Sequence, residues 1–186
     1  MTQCSEQEIA RLFPLVSTQR REQALQYHHT FGQYCCLKSY TLLCELLEEW
    51  GRVHQLSVNK RPIFLYNEYG APYLDGGPYF SISHCKSGIA VAVSEQPVGV
   101  DIEVIRPFRD ELMRKTMNPI EQQTILNSNQ ADWAFIRLWT QKEALLKLQG
   151  TGIITDLHHT LDNTEHIKCL QTTHLQPDYI CTIAMQ

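Results

Sequence analysis

The residues of this chain that could do chemistry fall into three short stretches. In "PVGVDIEV", residues 97–104, strand alternation places Val98, Val100, Ile102 and Val104 on one face and Gly99, Asp101 and Glu103 on the other. Asp101 and Glu103 then present two carboxylates from one rigid edge, and the glycine beside them leaves room for a group to approach the backbone. Two neighbouring carboxylates repel unless something positive sits between them. A few hard oxygen ligands suit Mg²⁺, which keeps several waters and typically binds substrate phosphates as well. In "WTQKEALLK", residues 139–147, Glu143 and Lys147 are four apart and share one helix face. They would add a third oxygen ligand and an ammonium turned toward phosphate oxygens. In "FSISHCKSG", Ser83 and His84 end a strand before a turn with Lys86 and Gly88. Such a turn offers an anion a hydroxyl, an imidazole, an ammonium and backbone N–H groups. Taken singly, each stretch is commonplace: a wet strand face, a weak surface ion pair, a capped turn.

The elements that must position these groups are legible from local pattern. Residues 17–50 read mainly as helix, with Ser17 or Thr18 as N-cap and Gly51 as the stop. A short strand is expected at Ile63–Tyr66, with a turn near Gly70 and Pro72. "FSIS" and "GIAVAVS" read as strands joined by a tight connection, and the acidic strand follows them. Residues 109–127 hold one or two helices, one starting at Asn118–Pro119. Residues 131–149 form a helix with Trp133, Ile136, Trp139 and Leu146 on an apolar stripe, ended by Gly150 and Gly152. "HTLD", "HIKCL" and "YICTIAM" are expected strands. Helices and strands occur in both halves without a βαβ rhythm, which favours an α+β fold.

The totals narrow the class. The chain has 186 residues, is 43% hydrophobic and carries a formal net charge of -4, enough to bury a core but without the basic excess of a nucleic-acid surface. No apolar stretch approaches the length of a membrane span and no signal peptide is evident. The seven cysteines include no C-x-x-C pair, which fits reduced thiols and a cytoplasmic location. The paired histidines, His28–His29 and His158–His159, lack helical metal-ligand spacing. Neither a G-x-S-x-G elbow nor a nucleotide-binding glycine loop occurs.

Taken in order, "SISH", "VGVDIE" and "LWTQKEALLKLQGTG" resemble the signature of the Sfp-type 4′-phosphopantetheinyl transferases. The resemblance runs from "VSTQRREQ" to the "YICTIAM" tail. It implies an α+β pseudo-dimer of two similar halves, residues 1–96 and 97–186, with the active site in the cleft between them. It also implies that Asp101, Glu103 and Glu143 hold Mg²⁺, and that Ser83 and His84 contact the diphosphate and 3′-phosphate region of coenzyme A. Lys147 would meet a substrate phosphate, and Arg20 would stand at a basic position for the 3′-phosphate. Gln23 and Ala71 replace residues that are commonly basic in this family, and Lys86 is the candidate to compensate for Ala71. The implied reaction is attack by a serine hydroxyl of an apo acyl or peptidyl carrier protein on the β-phosphate of coenzyme A. Phosphopantetheine moves to the serine and 3′,5′-ADP leaves. Glu143 or Glu103 would take the serine proton, a choice that the motif leaves open. The expected state is a monomer, with neither nucleic acid nor membrane as partner. "RPFRDELMRK", residues 106–115, holds Arg106, Arg109, Arg114 and Lys115 against two acids and is the candidate surface for an acidic carrier. Two other readings stay open: a Mg²⁺-dependent nucleotide or diphosphate hydrolase, and a non-catalytic module that binds carrier protein or nucleotide.

Overall fold

The computed structural model describes residues 6–86, 88–152, 156–162, 164–175 and 178–186. Three helices lead: α1 (Glu6–Leu12), α2 (Thr18–Leu25) and α3 (Thr30–His54). A two-residue hairpin follows, β1 (Leu65–Tyr66) with β2 (Pro72–Tyr73), then β3 (Tyr79–Cys85), β4 (Gly88–Ser94) and β5 (Val98–Val104). The rest is α4 (Asp110–Thr116), α5 (Pro119–Leu126), α6 (Ala131–Gln149), β6 (Cys169–Leu175) and β7 (Tyr179–Met185). β3 and β4 form one antiparallel sheet, and β5, β7 and β6, in that order, form another. This is an α+β arrangement. Among the described residues, no helix is long and apolar enough to cross a membrane.

Most local signals act where the sequence places them. Ser17 caps α2 by accepting the Arg20 N–H at 3.3 Å. Asn118 and Glu121 build a capping box at the start of α5. Gly150 ends α6 in the left-handed region, φ 67°. Three expectations are corrected. The stop expected at Gly51 is not one: α3 passes Gly51 to reach His54, where Gln55 takes the left-handed position. Gly51 is needed for space instead, because a Cβ there would lie 2.8 Å from the Leu56 carbonyl oxygen. The "HTLD" stretch is a turn, entered through a 3-10 turn at Leu157–His159 that Asp156 caps. The strand expected at "HIKCL" begins only at Cys169.

The two larger sheets each have a helix on one face. Phe80, Ile82, Val91 and Val93 of β3 and β4 pack with Leu37, Tyr40, Leu43 and Leu47 of α3. The other face of that sheet is made of small residues: Ser81 pairs with Ala92, and Ser83 with Ala90. β5 lies against this face, close enough that a Cβ on Gly88 would stand 3.1 Å from the Ile102 side chain. α6 covers the second sheet, where a buried hydroxyl ladder runs from Thr140 through Thr182 to Thr172 at 2.8 and 3.0 Å.

The stripe Phe135, Leu138, Lys142 and Leu145 of α6 carries a lysine among apolar neighbours, and all four are buried. The Lys142 ammonium donates to the carbonyls of Thr116 at 3.0 Å and Leu157 at 2.6 Å and to Glu121 at 2.7 Å. All its donors are answered, so one side chain ties α4, α5 and the segment after α6 to the helix. Removing one partner of a buried pair strands the other charge. Lys142→Ala should therefore cost about 3–5 kcal/mol in urea unfolding, and adding Glu121→Gln should return part of that loss. A single variant as stable as the parent would show that the pair holds nothing together.

Candidate active site

The site forms where β5 meets β3. The Val100 and Ile102 N–H groups point away from β7, and no neighbouring strand backbone receives them. They go instead to hydroxyls of β3: Val100 to Ser81 at 3.0 Å and Ile102 to Ser83 at 3.3 Å. Ser83 donates its own hydrogen to Asp101 Oδ1 at 2.7 Å. The same carboxylate oxygen accepts from the Lys147 ammonium at 2.7 Å. Asp101, only 5% exposed, is thus held from both sides, by β3 and by α6.

Gly99 explains how α6 comes so near. A Cβ there would stand 1.9 Å from the Ala144 carbonyl oxygen and 2.6 Å from the Leu148 nitrogen. What approaches the backbone at this glycine is the backbone of the helix. The close approach brings Glu143 and Lys147, one turn apart on α6, beside the acids of β5.

Three acids share this region and feel one another. Burial, then the Asp101 charge, raises the Glu103 carboxyl above its usual range. Burial and Asp101 raise Glu143 too, with Glu103 adding to the shift and Lys147 opposing it. Asp101 Oδ2 and Glu143 Oε1 are both buried without a hydrogen-bond partner. Among the described residues, no group of three or more His, Cys, Asp or Glu side chains is arranged to hold a metal ion. The donor set still suits a hard divalent cation: orphaned carboxylate oxygens and mutual repulsion are what such an ion would relieve.

The cations around the acids have different standings. His84 follows Ser83 on β3, and loss of surrounding water, then the Lys147 charge, lowers its pKa, so the ring is neutral near pH 7. Arg20 also acts on His84 through its charge, which places the N-terminal cation toward the same region. Three of its donors are engaged elsewhere: with the Cys36 carbonyl at 2.9 Å, Gln23 at 2.8 Å and Ser39 at 3.1 Å. Gln23, noted as a departure from a basic position, thus orients Arg20. Lys86 lies exposed on the turn after β3, outside these contacts. Ser83 is buried, and its hydrogen is engaged with Asp101.

Sequence reading missed Ser81 and Lys142. The signal for Ser81 was its spacing from Ser83, two residues along a strand and therefore on the same face. For Lys142 the signal was a cation on the apolar stripe of α6.

A carboxyl whose pKa folding raises holds its proton more tightly in the native state. The penalty is absent below the unfolded value and grows as pH rises through the folded one. In chelator at neutral pH, Glu143→Gln should therefore raise Tm, by roughly 2–4 °C for each kcal/mol relieved in a domain of this size. The gain should fade at acid pH. A lower Tm at neutral pH would mean that the acids do not repel as placed.

Known proteins resemble this chain. Residues 97–184 match the 4′-phosphopantetheinyl transferase superfamily. The chain is similar to 4′-phosphopantetheinyl transferase Sfp of Bacillus subtilis, 29% identical over 155 residues, covering 80% of this chain and 66% of that protein. It is similar to 4′-phosphopantetheinyl transferase HetI of Nostoc, 33% identical over 140 residues, 66% of this chain and 59% of that one. It is also 37% identical to 4′-phosphopantetheinyl transferase AcpT of Salmonella typhimurium over 98 residues, 48% of this chain and 50% of that one. The chain thus spans about two thirds or less of the length of these relatives. With β5 supplying Asp101 and Glu103, α6 supplying Glu143 and Lys147, and both lying in the matched segment, the chain belongs to the 4′-phosphopantetheinyl transferase superfamily.

Proposed function

We propose that the chain transfers the 4′-phosphopantetheine group of coenzyme A to a serine of an apo acyl or peptidyl carrier protein, releasing 3′,5′-ADP. The observation that carries this reading is the meeting of Asp101, Glu103, Glu143 and Lys147 at the β3–β5 seam, with two buried carboxylate oxygens left unpaired. The division of labour follows the two halves: residues 1–96 give phosphate contacts, and residues 97–186 give the acids and α6. Mg²⁺ is the proposed cofactor, held by Asp101, Glu103 and Glu143, and when bound it would offset charge on the diphosphate. Free thiols at Cys36, Cys44, Cys169 and Cys181 suit a cytoplasmic setting.

In this reading Lys147 has two alternative partners, Asp101 and a phosphate oxygen, and its flexible stem lets it exchange one for the other. His84, neutral near pH 7, offers the anion a hydrogen bond without a full charge. A raised carboxyl pKa brings Glu143 or Glu103 nearer the working pH, which suits a group that takes the serine proton as the O–P bond to the carrier forms. The bond to the departing 3′,5′-ADP breaks in the same displacement.

Intact mass of an apo carrier after incubation with coenzyme A, Mg²⁺ and this protein tests the reading. Phosphopantetheinylated carrier is expected. Consumption of coenzyme A without carrier would mark a hydrolase, and binding without turnover a non-catalytic module. Asp101→Ala should abolish transfer; near-normal transfer by a folded variant would remove Asp101 from the metal site.

The carrier surface follows from position and charge. Arg106, Arg109, Arg114 and Lys115 are exposed, and Arg106 lies near enough to Glu103 to lower its pKa. A carrier docked on this stretch would deliver its serine close to the acids. Reversing Arg109 and Arg114 to Glu should raise the carrier KM and weaken its salt dependence while leaving coenzyme A binding unchanged. An unchanged carrier KM at low salt would place the docking surface elsewhere.

A further inference from the structure

The β1–β2 hairpin forms its own two-stranded sheet and is fastened at two places. At its base, Gln19 of α2 grips Phe64, accepting its N–H at 2.9 Å and donating to its carbonyl at 2.8 Å. Phe64 itself is buried in the N-terminal core. At the tip, Asn67 works in two directions. Its side-chain oxygen accepts the N–H groups of Tyr69 at 3.0 Å and Ala71 at 2.9 Å, which shapes the turn. Its side-chain nitrogen crosses to the other half of the chain and donates to the Gly150 carbonyl at 2.9 Å. That carbonyl belongs to the cap of α6 and has no partner within the helix. Between tip and helix end lies a cavity of about 560 Å³, lined by Asn67, Ala71 and Pro72 on one side and Lys147, Gln149 and Gly150 on the other.

We infer that Asn67 is a positioning residue: its bond to Gly150 fastens the hairpin tip to the end of α6 and sets the width of the cavity beside Lys147. The inference rests on the transferase reading for its substrate, since coenzyme A is what this cavity would receive. The hairpin has one firm anchor in the core and one surface bond at the tip. Losing the tip bond lets it swing about Phe64, which widens the cavity without touching the acids of β5. Substrate binding should suffer while the chemical step does not.

Two variants separate the latch from the turn. Asn67→Asp keeps the acceptor that shapes the turn and removes the donor to Gly150. Gly150→Ala leaves Asn67 in place and adds no charge, but sets a methyl 3.2 Å from its side-chain nitrogen at a backbone φ of 67°. Both should raise the coenzyme A KM roughly three- to tenfold, the range of one net hydrogen bond, with kcat at saturating coenzyme A unchanged. In the free protein, both should speed amide hydrogen exchange in residues 65–73. Unchanged KM and unchanged exchange in both variants would overturn the latch, as would a loss of kcat at constant KM. If the parent protein fails to bind coenzyme A, the transferase reading falls, and hydrogen exchange alone decides the latch: faster exchange upholds it, unchanged exchange overturns it.

Discussion

Two serine hydroxyls stand in for a strand. β5 leaves the N–H groups of Val100 and Ile102 facing away from its own sheet, and buried donors of that kind must find acceptors. Ser81 and Ser83 supply them from a neighbouring sheet. The contact works because the surface of β3 and β4 around the two serines carries short side chains, with Ala92 and Ala90 opposite them. A larger residue at any of these positions would hold the strands apart and leave the donors unanswered. Ser83 then has a hydrogen to give, and Asp101 takes it. The seam that joins the two sheets is therefore also what orients the central acid.

α6 reaches the same seam from the other side and carries two polar systems of opposite character. Lys142 is closed: every hydrogen of its ammonium has an acceptor, and it shares no atom with the site. Glu143, the next residue, is open, with a buried oxygen lacking a partner and a carboxyl that burial and Asp101 hold above its usual range. Successive residues on a helix point about 100° apart, so one can anchor the helix while its neighbour faces the cleft. The ammonium of Lys142, with all three hydrogens placed, fixes the rotation of α6. That rigidity is what allows three acids to remain close together without a full set of partners, a local conflict of the sort that proteins keep at working sites.

The motifs that carry the chemistry were legible because they are local. Alternation along β5 puts Asp101 and Glu103 on one side, and a spacing of four puts Glu143 and Lys147 on one face of α6. Caps at Ser17, Asn118 and Gly150 could be read for the same reason: each is a side chain or a φ angle acting on its own few neighbours. Gly51 shows the limit of that reading. It resembles a helix stop, yet the helix runs through it, since what it must avoid is the carbonyl of Leu56 beyond the helix end.

Spacing decides which face a residue occupies; it does not decide what stands opposite that face. Gly99 could be read as room for a group to approach the strand; that the group is the backbone of α6 could not, because that partner comes from residues 144–148. Ser83, where the resemblance implies a phosphate contact, gives its hydrogen to Asp101, 18 residues later in the chain. Arg20 could be placed by motif at a basic position, but its bonds to Cys36, Gln23 and Ser39 come only with the packing of α2 on α3. The sequence by itself determined the residue types, the periodicities and the family signature. The tertiary structure alone decided which hydrogens each side chain gives and to whom, because those partners lie on different elements and meet only when the sheets and helices close on one another.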